Sequence, residues 1–75
     1  MPSEIRKTLA KNIRRIAMAK KMSINALADF ADVSRSQLYD ILSSRKGATV
    51  DWIEKIADAL EVSVADLFVM DQRRK

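Results

Sequence analysis

The side chains best suited to chemistry lie between residues 23 and 43, where polar residues are interspersed among apolar ones. The apolar residues Val33, Leu38 and Ile41 recur at spacings that place them on one face of a helix. The polar residues between them would then face outward: Arg35, Ser36, Gln37, Tyr39 and Asp40. These types donate and accept hydrogen bonds, and an arginine can donate two parallel bonds to one planar acceptor. The pattern predicts a surface that binds hydrogen-bonding groups.

Two residue types on which much enzyme chemistry depends are missing, because the 75-residue chain contains neither cysteine nor histidine. Disulfides, thiolate metal sites, the usual zinc sites and a histidine general base are therefore excluded. Serines and carboxylates are present, but without a nucleophile–base arrangement or a glycine-rich phosphate loop. The sequence predicts that the protein is not an enzyme and uses no cofactor and no metal.

The polar residues are predicted to lie on two short helices joined by a tight turn. The first runs from Ile24 to about Phe30, and the second begins at Ser34. Ser23 and Ser34 are suitable N-caps for these helices, and a small residue, Ala28, lies in the first. This is the pattern of a helix-turn-helix, whose second helix can lie in the major groove of DNA.

Three further helices are predicted around this pair from apolar residues at steps of three and four. They span residues from about Ser3 to Lys20, from the cap Thr49 to about Leu60, and from Val64 to about Met70, where Ser63 and Asp66 form a capping pair. No segment alternates like a strand. The prediction is one all-α domain over residues 1–75, a compact five-helix bundle with its core at about 5–69 and a basic tail at 71–75.

The net charge of +4 is unevenly distributed along the chain. Residues 1–22 hold seven basic groups and one acidic group, giving +6, whereas residues 47–70 hold one basic and five acidic groups, giving −4. A polyanion would orient such a molecule, although the same charges could be solvated helix faces. The basic first helix could instead lie on an anionic membrane, but its apolar stripe is needed to close the core. We therefore expect a cytoplasmic location and no membrane partner.

The order of these elements resembles the phage-repressor/Cro-like (Xre-like) helix-turn-helix superfamily over about residues 8–69. The strongest parts are V-S-R-S-x-L at Val33–Leu38 and IEKIADALEVSVADLF at Ile53–Phe68. The resemblance implies the five-helix, lambda-repressor-like DNA-binding fold, with the helix-turn-helix formed by helices 2 and 3. It also implies a bacterial or phage-derived transcriptional regulator of the phage repressor, restriction–modification controller or antitoxin type. Such a protein would bind double-stranded DNA sequence-specifically, as a homodimer on a palindromic or pseudo-palindromic operator.

The resemblance further assigns DNA contacts to residues of this chain. Contacts to base edges would come from the helix that starts at Ser34: Arg35, Ser36, Tyr39 and Asp40. Contacts to phosphates would come from helix starts and from the loop after the third helix: Ser23, Asn25, Ser34, Gln37, Ser43, Arg45 and Lys46. Alternatives stay open, because Tyr39 could pack on the second helix and Asp40 could orient Arg35 or a loop cation. Trp52 is expected to pack against the loop or a dimer partner and not to stack on a base.

Three departures from the family pattern have physical consequences. Ile24 stands where the family often has a phosphate-contacting glutamine, so one contact is lost unless Asn25 replaces it. Asp32 occupies a turn position usually held by glycine, and aspartate tolerates a left-handed conformation better than most residues. Ala17 and Leu42 stand where many members have a buried Arg–Glu pair, and replacing both partners leaves no charge stranded.

The predicted fifth helix holds more apolar residues than one face needs. Leu67 is expected to enter the core, whereas Val64, Phe68 and Met70 would form the interface of a symmetric homodimer. Such a dimer would hold its two recognition helices about 34–36 Å apart, one turn of DNA. The alternative function is a protein-interaction module, for example toxin- or polymerase-binding, with weak or no DNA binding and this apolar group as its main site.

Overall fold

The structure, a computed structural model, describes residues 4–69 as an all-helical domain. The elements are α1 (Glu4–Ala19), α2 (Ile24–Ala31), α3 (Arg35–Leu42), α4 (Val50–Leu60) and a 3-10 helix, η1 (Val64–Phe68). No strand occurs among these residues, which confirms that the domain is all-helical. Within the same range, no helix has the length and apolar character that crossing a membrane requires.

The prediction of a fifth α-helix is not confirmed, because residues 64–68 wind as a 3-10 helix. The predicted capping pair is present, since Ser63 and Asp66 form a reciprocal capping box. The backbone is extended at Val69, and the carbonyl oxygens of Leu67 and Val69 accept hydrogen bonds from the side chain of Asn12 on α1. The predicted end at Met70 lies outside the described residues.

The core lies where α1 packs on α3 and η1, and where α2 packs on α3 and α4. Every element contributes at least one of the largest fully buried side chains: Ile13, Leu27, Leu38, Ile41, Ile56, Leu60 and Leu67. The prediction that Leu67 enters the core is therefore confirmed. Ala17 and Leu42 are also buried, so both positions are part of the apolar core.

All four α-helices are followed by a non-glycine residue in the left-handed conformation. These residues are Lys21, Asp32, Ser44 and Glu61, with φ between 59° and 64°. The next residue donates its N–H to a carbonyl five positions earlier, as Val33 does to Ala28 at 3.0 Å, which is the Schellman arrangement. Asp32 thus adopts the left-handed conformation that its turn position requires.

Replacing one of these residues by glycine should stabilise the protein. The left-handed conformation costs an L-residue about 1–2 kcal/mol, whereas glycine adopts it freely but loses more backbone entropy on folding. For Glu61→Gly we expect the free energy of unfolding to rise by about 0.5–1 kcal/mol in urea denaturation. Glu61→Ala is the matched control, because it removes the carboxylate and keeps the strain. Equal stabilisation by both variants would contradict this explanation.

Candidate nucleic-acid interface

α2 and α3 each begin at an exposed serine that acts as an N-cap. Ser23 Oγ accepts a hydrogen bond from the Ala26 N–H at 3.0 Å, and Ser34 Oγ accepts one from the Gln37 N–H at 3.2 Å. Both predicted caps are therefore confirmed. Because the oxygens act as acceptors, each hydroxyl can still donate its proton, for example to a phosphate oxygen. The positive ends of both helix dipoles also lie at these serines.

α3 separates its apolar and polar residues cleanly. Its core side is formed by Leu38, Ile41 and Leu42, all buried. Its other side exposes Arg35, Ser36, Gln37 and Tyr39, with Asp40 half-buried. The polar face that the sequence predicts for this helix therefore lies on the protein surface. The whole first turn of α3 is available to a partner.

Arg35 is held by a carboxylate that sequence reasoning did not identify. Its Nη2 donates to Oδ2 of Asp29 at 3.0 Å, which links the start of α3 to α2. Both side chains are more than half exposed, so the pair adds little stability. Its effect is to orient the guanidinium. The sequence pattern does not predict this pair, because the two residues are six positions apart and lie on either side of a turn.

Tyr39 and Asn25 lie together, although they are 14 residues apart in sequence. The Tyr39 hydroxyl donates to Oδ1 of Asn25 at 3.1 Å. This bond agrees with the alternative that Tyr39 packs on the second helix, yet half of the tyrosine remains exposed. The Asn25 amide nitrogen can still donate, so the pair presents a donor beside an aromatic ring.

Asp40 lies near a loop cation and not near Arg35. Its Oδ2 is 3.8 Å from Nζ of Lys46, and its backbone carbonyl accepts from the Ser43 hydroxyl at 3.0 Å. Of the roles left open for Asp40, orientation of a loop cation is the one that this geometry favours. The Ser43 hydroxyl already donates its proton to the Asp40 carbonyl, so it could donate to a phosphate only after that bond breaks.

The end of α3 differs from the ends of the other α-helices. After α1, α2 and α4, the residue that follows the left-handed position is Met22, Val33 or Val62, each packed against the core. After α3 it is Arg45, which is exposed. The chain therefore places two adjacent cations, Arg45 and Lys46, on the surface where an apolar residue would otherwise anchor the loop.

The apolar residues of the predicted interface are only partly exposed. Val64 is 37% exposed, Phe68 packs partly against the core, and Met70 lies outside the described residues. Val69, which was not singled out, is 53% exposed and extends the patch. Trp52 is 4% exposed, with no partner for its Nε1. It packs inside this chain and cannot stack on a base, as expected.

The comparisons with known proteins cover most of the chain. The family model for the Cro/C1-type HTH DNA-binding domain matches residues 12–73. No curated protein sequence matches significantly.

Solved structures of regulators share the fold. The hypothetical transcription factor NHTF from Neisseria is 29% identical over 88% of this chain and 76% of that one, with a TM-score of 0.84. The restriction–modification controller protein C.Esp1396I is 25% identical over 89% and 87%, with a TM-score of 0.81. The clp gene regulator ClgR from Corynebacterium glutamicum is 27% identical over 84% and 67%, with a TM-score of 0.78.

Proposed function

The chain belongs to the Cro/C1-type helix-turn-helix family of DNA-binding transcription regulators, and we propose that it binds duplex DNA sequence-specifically with α3 in the major groove. The observation that carries this proposal is the first turn of α3. There Arg35, Ser36 and Gln37 are all exposed, while the opposite side of the same helix is buried. An arginine at this position can bond O6 and N7 of a guanine together, the commonest specific contact to a base.

The contacts divide into those that specify sequence and those that position the protein. We propose that Arg35 and Ser36 contact base edges, with Tyr39 one turn later. Asp40 could still accept from a cytosine through its other oxygen, but its Oδ2 lies near Lys46, so we propose that it mainly holds Lys46 towards a phosphate. The remaining phosphate contacts come from helix starts and from the loop after α3: Ser23, Asn25, Ser34, Gln37, Ser43 and Arg45.

The protein is proposed to act as a homodimer through the apolar residues on and after η1. Val64 and Val69 are exposed there, and Phe68 is partly so. A two-fold dimer would place two copies of α3 on a palindromic or pseudo-palindromic operator. The similarity to C.Esp1396I is compatible with a restriction–modification controller, and phage repressor and antitoxin remain the other types. A cytoplasmic location, in a bacterium or from a phage, follows from this role.

Selection of bound sequences from random duplex DNA tests the proposal. We expect one enriched motif made of two inverted half-sites whose centres are about one helical turn apart. The reason is that a two-fold symmetric dimer presents two identical copies of α3, which bind two half-sites related by the same symmetry. A single half-site would contradict the homodimer, and the absence of any enrichment would contradict sequence-specific binding.

A protein-interaction module remains the second candidate, and one observation favours it. Phe30 is 73% exposed and borders a groove that Met22, Ala31 and Ala59 help to line. The cost of exposing a phenylalanine suggests a partner on this side of α2. A mobility shift on plain duplex DNA discriminates the two functions, since an interaction module would show little salt-dependent binding.

A further inference from the structure

The only glycine of the chain, Gly47, does not adopt a conformation that requires glycine, because its φ is not positive. Gly47 is important because the side chain of Arg6 packs against it. A β-carbon at this position would lie 3.2 Å from Nη2 and 3.3 Å from Nε of Arg6, which is tighter than most packing contacts of a β-carbon. The guanidinium of Arg6, from the first turn of α1, therefore lies directly against the loop between α3 and α4.

This contact brings Arg6 to the loop that carries two further cations. Lys46 directly precedes Gly47, and Arg45 precedes Lys46. All three side chains are exposed. Lys46 is paired with Asp40, whereas neither arginine has an ion-pair partner among residues 4–69. Like charges on one surface repel each other in the free protein, whereas a polyanion bound at that surface attracts them.

We propose that Arg6, Arg45 and Lys46 form one site for backbone phosphates of DNA, with the Arg6 guanidinium packed against the bare backbone of Gly47. This inference rests on the proposed function and adds α1 to an interface that sequence reasoning confined to residues 23–46. Since the loop directly follows α3, a phosphate bound there would lie beside the C-terminal end of the recognition helix. Its contact with α1 would fix how α3 is oriented in the groove.

Arg6→Ala tests the site by salt titration of DNA binding. Each Arg6 in the complex should contribute about 0.9 to the slope of log K against log salt. The variant should therefore lose about that slope per subunit, and bind operator and random duplex about fivefold more weakly per contact near 0.15 M salt. Lys55→Ala is the matched control, because it removes an equal charge from the groove that Lys20 and Glu61 line. Equal effects of the two variants would overturn the proposal.

Gly47→Val tests the glycine without removing a charge. A branched side chain would occupy the space of the Arg6 guanidinium, so we expect a weakening similar to that of Arg6→Ala. In the Arg6→Ala background the same change should have no further effect. A full additional loss in the double variant would overturn the role of Gly47, with thermal melts verifying that each variant is folded. If the unmodified protein binds no duplex DNA, the proposed function fails before any variant is compared.

Discussion

Asn12→Ala should lower the free energy of unfolding by about 3 kcal/mol, because one buried side chain satisfies two backbone carbonyls. Asn12 is the only buried polar residue among residues 4–69. Its Nδ2 donates to the carbonyl oxygens of Leu67 and Val69, both at 2.9 Å. An acceptor left without a partner in a buried site costs about 1–3 kcal/mol, and this cost applies in full to the Leu67 carbonyl, because the bond to Val69 is only partly buried. In thermal denaturation the midpoint should fall by roughly 10–20 °C.

Two further variants separate this explanation from simple loss of volume. Asn12→Asp keeps the shape but replaces both donor protons by a negative charge facing two carbonyl oxygens, so it should destabilise at least as strongly. Arg15→Ala removes only the donor to Oδ1 of Asn12, a contact at 3.2 Å on an exposed side chain. Its effect should stay within about 1 kcal/mol. A wild-type melting temperature for Asn12→Asp would refute the role of the two bonds.

The same change should also affect assembly. The two bonds hold η1 and the residue after it against α1, and these segments present Val64, Phe68 and Val69. If this surface forms the dimer, Asn12→Ala should shift the monomer–dimer equilibrium towards monomer in sedimentation at conditions where the variant is still folded. Unchanged dimerisation would place the interface elsewhere.

Arg35→Ala should weaken binding to the selected operator by about 10- to 100-fold for each lost base contact, and should erase the preference at one base pair in each half-site. A bidentate contact to guanine depends on a planar group with two parallel donors, and the proposal assigns this role to the exposed guanidinium at the first position of α3. Repeating the selection from random DNA with the variant measures the lost preference directly.

Arg35→Lys is the matched variant, because it keeps the charge and loses the planar fork. We expect it to lose the base preference while the salt dependence of binding stays near that of the unmodified protein. If instead the lysine variant keeps the preference and Arg35→Ala lowers all affinities alike, Arg35 contacts phosphate and not a base. In either case, the loss of affinity in the Arg35 variants can be compared directly with the loss in Arg6→Ala.

The sequence alone predicts the parts of this protein that depend on neighbours in the chain. The start of α2 at Ile24, the serine caps and the reciprocal bonds of Ser63 and Asp66 follow from residues one turn apart. The left-handed conformation of Asp32 was expected from the family resemblance, because aspartate stands at a turn position usually held by glycine. The division of α3 into a buried and an exposed side was predictable too, because helical periodicity determines it.

Only the tertiary structure decides the contacts between elements. The bonds from Asn12 to Leu67, Tyr39 to Asn25 and Arg35 to Asp29 join residues 55, 14 and 6 positions apart. The approach of Arg6 to Gly47 is of the same kind. Hydrogen bonds within a turn depend on local dihedral angles, which residue type biases directly. Contacts between helices depend on how the whole apolar core packs, so the partners of Arg35 and Asn12, and the 3-10 form of residues 64–68, could not be predicted from local patterns.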